Sequence, residues 1–203
     1  MHRGIAGLTA GIAVVVFQVF AQTADQGIVE YESGKIAAAE STLRAASDAD
    51  PGDARATYYL VLTLAAQRKL DDAAAAVSRL EKSAPDSEYR RLAAARVSLE
   101  NKEFDAAESS LNEAEKINAD SGDLFFLRGM LNAARKNYQA AVDGLEKAIE
   151  KQPRNAYAHY YAGIAYNGVK RPDKMVEHFQ HFLRLAPDAP EASKVQSTLR
   201  AIR

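Results

Sequence analysis

The side chains with the clearest capacity for chemistry are two histidines near the C-terminal end of the chain. His178 and His181 are three residues apart, with Glu177 beside them. On a helix this spacing directs both imidazoles to one face, where they could ligate a metal ion. A metal site also needs a third and a fourth ligand, and the sequence supplies no obvious candidates. A solvated helix face is the simpler interpretation, and we expect no metal site here.

No other arrangement of residues is typical of catalysis. Asp71 and Asp72 fall in the first turn of a predicted helix, where negative charge suits the helix dipole. Glu113 and Glu115 are two residues apart and cannot face each other on a helix. The chain contains no cysteine, no Ser–His–Asp arrangement, no glycine-rich phosphate loop and no HExxH motif. We therefore expect no enzymatic activity, no catalytic residues and no cofactor.

Composition restricts the class of protein further. Hydrophobic residues make up 47% of the 203 residues, which is enough for a core. Alanine is abundant and has the best intrinsic helix propensity. The formal net charge of −1 gives no basic field for nucleic acid. The composition therefore favours a helical protein whose partner is not a nucleic acid.

Residues 1–21 differ from the rest of the chain. Met1-His2-Arg3 is a short positive start, an uncharged run covers 4–21, and Val19-Phe20-Ala21 precedes a potential cleavage before Gln22. This three-part pattern is typical of a secretory signal peptide. It predicts an exported mature chain without a membrane span, periplasmic if the organism is bacterial. The alternative is an uncleaved inner-membrane anchor, although the run is slightly short for a span of about 20 residues.

From Gln22 onward the pattern is helical. Apolar residues recur at spacings of three and four, which is typical of amphipathic helices. Short polar links containing Pro, Asp or Asn separate these segments and predict helix ends and N-caps. The pattern predicts eleven helices, near 22–33, 37–49, 54–67, 71–83, 88–101, 105–117, 122–135, 139–151, 156–168, 173–185 and 190–202.

A period of 34 residues organises these helices. Pro187, Pro153, Ala119, Pro85 and Pro51 stand at this interval along the chain. The second helix of each unit repeats a small or apolar residue followed by two further apolar residues in fixed register. These are Ala39, Leu43 and Ala46; Ala73, Val77 and Leu80; Ala107, Leu111 and Ala114; Ala141, Leu145 and Ala148; and Met175, Phe179 and Phe182.

This pattern resembles the tetratricopeptide repeat, a helix–turn–helix unit of the same length. The final unit matches most fully through His159, Ala162, Gly163 and Tyr166, and we expect His159 to pack between helices. Val61 and Ala95 replace the usual glycine in the second and third units. The resemblance implies an all-α fold, a right-handed α-solenoid of about five repeats over 22–189 with a capping helix at 190–203. The repeats are 22–53, 54–87, 88–121, 122–155 and 156–189.

The resemblance also implies a concave face lined by the first helix of each repeat, where a peptide could bind. Aromatic residues, Met and Arg are enriched in the cores of binding interfaces. The alternative is that several of these side chains pack between adjacent helices as core. The positions carried over from the family are Arg55, Tyr58, Leu62, Tyr89, Arg96, Phe126, Met130, Tyr157, Tyr160, Ile164 and Asn167.

Together these features predict a non-enzymatic, exported scaffold that binds a protein or peptide, as part of an envelope assembly. The fifth unit, with Tyr157 and Tyr160, is the expected centre of binding. One alternative is a structural subunit that self-associates and acts as a spacer. A second is a membrane-tethered assembly factor, if residues 4–21 remain as an anchor.

Overall fold

The computed structural model describes residues 23–202, which form eleven α-helices and no β-strand. The predicted all-α fold is therefore confirmed, with helix bounds within two residues of those expected. The predicted signal peptide lies outside the described residues. The helices are α1 (23–32), α2 (Ile36–Ala49), α3 (Ala54–Ala66), α4 (Leu70–Ser83), α5 (Glu88–Glu100), α6 (Phe104–Ile117), α7 (Gly122–Ala134), α8 (Tyr138–Lys151), α9 (Ala156–Gly168), α10 (Pro172–Leu185) and α11 (Ala192–Ala201).

Polar caps define where the first helix of most pairs begins. Asp53, Ser87, Ser121 and Asn155 precede α3, α5, α7 and α9, and each side chain accepts a hydrogen bond from a backbone N–H in the first turn. Such a bond satisfies one of the N–H groups that a helix start leaves without a partner. Because these caps recur with the 34-residue period, the first helix begins at the same position of each repeat.

One residue in the turn inside each helix pair has a left-handed backbone. Gly34 has φ of 71°, and the four equivalent residues are basic, with φ between 60° and 64°. The N–H of the following residue donates to the carbonyl five residues earlier, for example Lys69 to Leu64 at 3.0 Å, as in a Schellman motif. A cation at this helix end interacts favourably with the helix dipole, which partly offsets the energetic cost of a positive φ in a residue other than glycine. The basic residues are Arg68, Lys102, Lys136 and Lys170.

The stripe predicted for the second helices forms the core of the stack. Its members are buried, except for Val77, which is half-buried. Small residues allow close approach between paired helices. Gly129 in α7 is the tightest example in its pair, since a Cβ there would lie 2.4 Å from the Cγ of Leu145. The register found in the sequence therefore corresponds to real inter-helix contacts.

We expect Gly129→Ala to lower the free energy of unfolding by about 1–3 kcal/mol, because the added methyl overpacks the α7–α8 contact. Gly144→Ala is the matched control in the same helix pair, since its Cβ would meet its nearest neighbours at 3.4 Å. That substitution should be neutral or stabilise by up to about 1 kcal/mol. Urea unfolding of the two variants measures the difference. Equal stability of both variants would contradict this packing.

The C-terminal helix is shorter than predicted. α11 begins at Ala192 rather than at residue 190, because a turn occupies this segment, in which the N–H of Ala192 donates to the carbonyl of Ala189 at 2.9 Å. Ala192 and Val195 are buried against α10. Ile202 lies beyond the helix and is 47% exposed, so the predicted apolar stripe ends at Leu199. No helix within 23–202 combines the length and apolarity needed to cross a membrane.

The two ends of the array are in contact with each other. Gly34, in the first turn, packs so closely on Ala186 and Ala189 that an added Cβ would lie 2.7 to 2.8 Å from their Cβ atoms. The ring of Tyr31 in α1 stacks on that of Tyr157 in α9, with 5.3 Å between centroids. The first and fifth helix pairs therefore meet, and the solenoid closes on itself.

Candidate functional site

Aromatic rings form a continuous series through the inside of the closed array, which we call the aromatic chain. Each ring contacts the next with centroids 5.2 to 6.2 Å apart, within the range of favourable aromatic pairs. Most of these rings come from the first helices of the pairs. In contact order the aromatic chain is Tyr89, Tyr58, Tyr59, Tyr31, Tyr157, Phe182, Tyr160, Tyr161 and Phe126.

Six of the residues expected to line a groove are buried in this structure. Their exposure ranges from 0% to 6%, so they correspond to the alternative in which such side chains pack between helices. The physical reason is packing between first helices. These helices are adjacent for Tyr58 on Tyr89 and for Phe126 on Tyr161, and they are the first and last of the array for Tyr157 on Tyr31. This corrects the expectation of an open groove at Tyr58, Leu62, Arg96, Phe126, Met130 and Tyr157.

The other five predicted groove residues keep some accessible surface. Tyr89, Tyr160 and Ile164 are half-buried, whereas Arg55 and Asn167 are exposed. Arg55 forms an ion pair with Asp25 at 3.1 Å, and its guanidinium lies 5.9 Å from the centroid of the Tyr59 ring. These five residues therefore remain candidates for contact with a partner.

A buried arginine connects the aromatic chain to the surface. The Nη2 atom of Arg96 lies 2.8 Å from Glu100, and its Nη1 atom donates to the sulfur of Met130 at 3.3 Å. Glu100 also pairs with the exposed Arg68 at 2.8 Å. A buried charge is tolerated only where partners offset its loss of hydration. Arg96 therefore acts within the fold rather than as a free cation for a ligand.

Asp123 is a buried carboxyl at the start of α7. The Tyr59 hydroxyl donates to its Oδ1 atom at 3.0 Å, and Gln152 donates to the same hydroxyl at 3.4 Å. Burial raises the pKa of Asp123 to about 6, although the hydrogen bond from Tyr59 opposes this shift. The group links the second and fourth helix pairs. Glu88 adds to the raised pKa of Asp123, and burial together with Asp123 raises the pKa of Glu32. We assign Asp123 to the architecture because its hydrogen bond joins two helix pairs.

An open apolar depression lies where α5 and α7 end, against the middle of α9. Its volume is about 260 Å³, and Glu100 is its only charged lining residue. It contains two of the predicted groove residues, Met130 and Ile164. Glu100, Ala134 and Tyr161 were missed, although Tyr161 directly follows the predicted groove residue Tyr160. The lining consists of Leu99, Glu100, Met130, Ala133, Ala134, Tyr161 and Ile164.

The histidines occupy a different environment from the one expected. His178 is 5% exposed, which corrects the prediction of a solvated helix face, because His159 and Tyr166 of α9 cover it. The Nδ1 atoms of His159 and His178 are 3.2 Å apart. His159 packs between helices as predicted. Within 23–202, no three or more His, Cys, Asp or Glu side chains converge in a way suited to a metal ion.

A family model described as Tetratricopeptide repeat matches residues 24–88 and 92–150. These segments make up more than half of the chain, and the chain therefore belongs to the tetratricopeptide repeat family. This agrees with the repeat register and with the paired helices of the structure.

Solved structures share the fold at low sequence identity. TTC0263, a thermophilic tetratricopeptide repeat protein of Thermus thermophilus, superposes with a TM-score of 0.64 at 19% identity, covering 89% of this chain and 98% of that one. YrrB, described as a repeat protein with an unusual peptide-binding site, gives 0.50 at 17% identity, covering 86% and 90%. At these identities the likeness concerns the fold alone.

A curated relative matches one segment only. Tetratricopeptide repeat protein 37 of Xenopus laevis is 49% identical over 41 residues, which is 20% of this chain. The chain spans 3% of that relative's length.

Proposed function

We propose that the chain is a non-enzymatic scaffold that binds a protein or peptide partner through the apolar depression. Proteins of this repeat family bind protein or peptide partners, and YrrB is described as having a peptide-binding site. The observation that carries the proposal is the depression between α5, α7 and α9. It is an open apolar concavity beside an inner surface that the protein's own aromatic rings already fill.

The lining indicates what the depression accepts. Leu99, Met130 and Ile164 offer aliphatic and thioether surface, which suits one or two apolar side chains of a partner. A volume of about 260 Å³ is close to the lower end of ligand sites, which begin near 300 Å³. Glu100 at the edge is neutralised by two arginines. The depression therefore provides an anchor point rather than a complete site for a small molecule.

Export is a further part of this proposal. The pattern of residues 1–21 supports secretion and a role in an envelope assembly. N-terminal sequencing of the protein from its native host tests it, and a mature chain that begins at Gln22 is the expected result. A chain that begins at Met1 would contradict cleavage.

Ala134→Arg should weaken partner binding while leaving the fold intact. Ala134 lines the depression but is exposed, so the bulky cation blocks the concavity without entering the core. Ala140→Arg is the matched control, since Ala140 is an exposed alanine of α8 outside the depression. Partners are first captured from the native host with the wild-type protein. We expect Ala134→Arg to weaken binding at least about tenfold, or about 1.4 kcal/mol.

Two results would overturn the proposed binding site. The first is a partner that binds Ala134→Arg and wild type equally well. The second is an equal loss of binding in Ala134→Arg and Ala140→Arg. Thermal unfolding of both variants confirms that neither substitution acts by destabilising the fold.

A further inference from the structure

A pair of buried histidines joins the two helices of the fifth pair. We propose that His159 and His178 form an acid-sensitive latch, which holds α9 against α10 while at least one ring is neutral and releases when both rings are protonated. The proposal does not rest on the proposed binding function. It assigns a role to groups that the apolar depression and the aromatic chain do not use.

The hydrogen-bond geometry defines the neutral state of the latch. His178 Nε2 lies 3.1 Å from a carboxylate oxygen of Glu146 in α8, so this nitrogen carries a hydrogen. In neutral His178 the Nδ1 atom is then an acceptor. The Nδ1 atom of His159, at 3.2 Å, must donate to it. The Tyr166 hydroxyl completes the network by donating to Glu146 at 2.8 Å.

Protonation of both rings removes this contact. Each Nδ1 atom then carries a hydrogen, and a donor faces a donor at 3.2 Å between two cations. Like charges at this distance in a partly desolvated site repel strongly. Separation of α9 from α10 relieves the repulsion and hydrates both rings. The contact therefore stabilises the fifth pair only as long as at least one ring stays neutral.

The surroundings of His159 favour its neutral form. Burial lowers its pKa to about 4, and charge on His178, His181 or Arg184 adds to that shift. A backbone hydrogen bond to Pro153 acts in the opposite direction. Since proline has no N–H, the group involved is its carbonyl, which stabilises the protonated ring. The link between α8 and α9 thus faces His159 as well.

The surroundings of His178 are more evenly balanced. Burial lowers its pKa, and His181 and Lys174 of α10 act in the same direction. Glu146 of α8 and Glu177 of α10 favour the protonated ring. The Glu146 carboxylate at 3.1 Å from Nε2 therefore stabilises the positive charge that His178 gains on acidification.

The lowered pKa makes the stability of the fold depend on pH. Below about pH 6.5 the unfolded chain binds a proton at His159 that the folded chain excludes. The stabilising contribution is therefore complete above about pH 7 and is lost as the pH falls towards 4. Between about pH 7.5 and pH 5, His159 alone should lower the ratio of folded to unfolded protein about 30-fold.

Asp123 has the opposite effect on this pH dependence. The pKa of Asp123 is higher in the folded chain than in the unfolded chain. Its contribution to stability is therefore complete at pH values below the unfolded pKa, and it is lost as the pH rises through about 6. The total pH profile of stability therefore combines contributions of both signs. Only a difference between variants isolates the contribution of the latch.

Release of the latch would reach the candidate site through α9. This helix carries Tyr157 and Tyr161 of the aromatic chain, and it contributes Tyr161 and Ile164 to the apolar depression. A displacement of α9 from α10 changes the wall of the depression and the contact between the ends of the array. Acid would thus weaken closure and binding together.

The test compares urea unfolding of the full chain at pH 7.5 and pH 5.0 in three proteins. Wild type and His181→Gln both retain the His159–His178 contact, whereas His159→Gln lacks a titrating group at that position. We expect the unfolding constant to rise with acid about 30-fold more in wild type than in His159→Gln, and by an intermediate factor in His181→Gln, because the His181 ring stacks on His159 at 4.9 Å and its charge lowers the pKa of His159. An equal rise in all three would overturn the latch.

A measurement on the wild-type protein keeps the proposal testable even if His159→Gln does not fold. Proton NMR of the histidine rings should show His159 still neutral at pH 6 and titrating near 4. Amide exchange in α9 and α10 should accelerate over the same pH range, relative to α3 and α4. Titration of His159 near 6.5, or unchanged protection of α9 and α10, would refute the proposal.

Discussion

Replacing Tyr31 with alanine is expected to lower the free energy of unfolding by about 3–5 kcal/mol, the range for removing a buried large aromatic side chain. The residue is 2% exposed and lies between Tyr157, at 5.3 Å, and Tyr59, at 5.7 Å. Few other side chains connect the first helix pair to the fifth so directly. The variant should therefore also have a larger radius of gyration in solution scattering.

Tyr31→Phe is the matched control for this experiment. It keeps the ring and both aromatic contacts, so its stability should lie within about 1.5 kcal/mol of wild type. Urea unfolding measures the stability of both variants. An alanine variant as stable and as compact as wild type would show that the ring is solvated and the array open.

Phe126→Ala is expected to have an effect of similar size, about 3–5 kcal/mol. Its ring has no exposed surface and contacts Tyr161 edge-on at 5.9 Å. Had the concave face been an open groove at this position, truncation would leave stability unchanged and remove partner binding instead. The stability of this variant therefore distinguishes an internal ring from a groove-lining one.

Tyr160→Ala provides the comparison within the same set of predicted groove residues. Tyr160 is half-buried although it contacts Phe182 at 5.2 Å, so its truncation should cost about half as much as that of Phe126. Chemical denaturation of the two variants gives the ratio. Similar losses, or a larger loss for Tyr160, would contradict the assigned burial.

The helices and their register could be predicted because they depend on local information. Spacing of apolar residues, capping side chains and a fixed period are all visible in the sequence. Closure could not be predicted, because it results from small rotations that add up between successive helix pairs. Tyr58 and Phe126 occupy the same repeat position in an open or a closed array. Their rings pack on Tyr89 and Tyr161 of the next first helix, and the pattern of a single repeat does not show how closely those helices approach.

The histidine contact shows the same limit of local patterns. His178 and His181 are three residues apart, so sequence spacing draws attention to them as a pair. The partner of His178 is instead His159 on the preceding helix. That contact arises from the packing of α9 on α10. In the same way, Tyr161 lines the apolar depression although the predicted groove residue is its neighbour Tyr160.

Closure of the array is tested most directly by the nuclear Overhauser effect between the rings of Tyr31 and Tyr157. Stacked rings with centroids 5.3 Å apart place ring protons close enough for strong cross-peaks. Tyr31→Phe and Tyr157→Phe assign the resonances. We expect cross-peaks between the two rings in the wild-type chain at neutral pH. Their absence, with both resonances assigned and the helices intact, would contradict a solenoid whose ends meet.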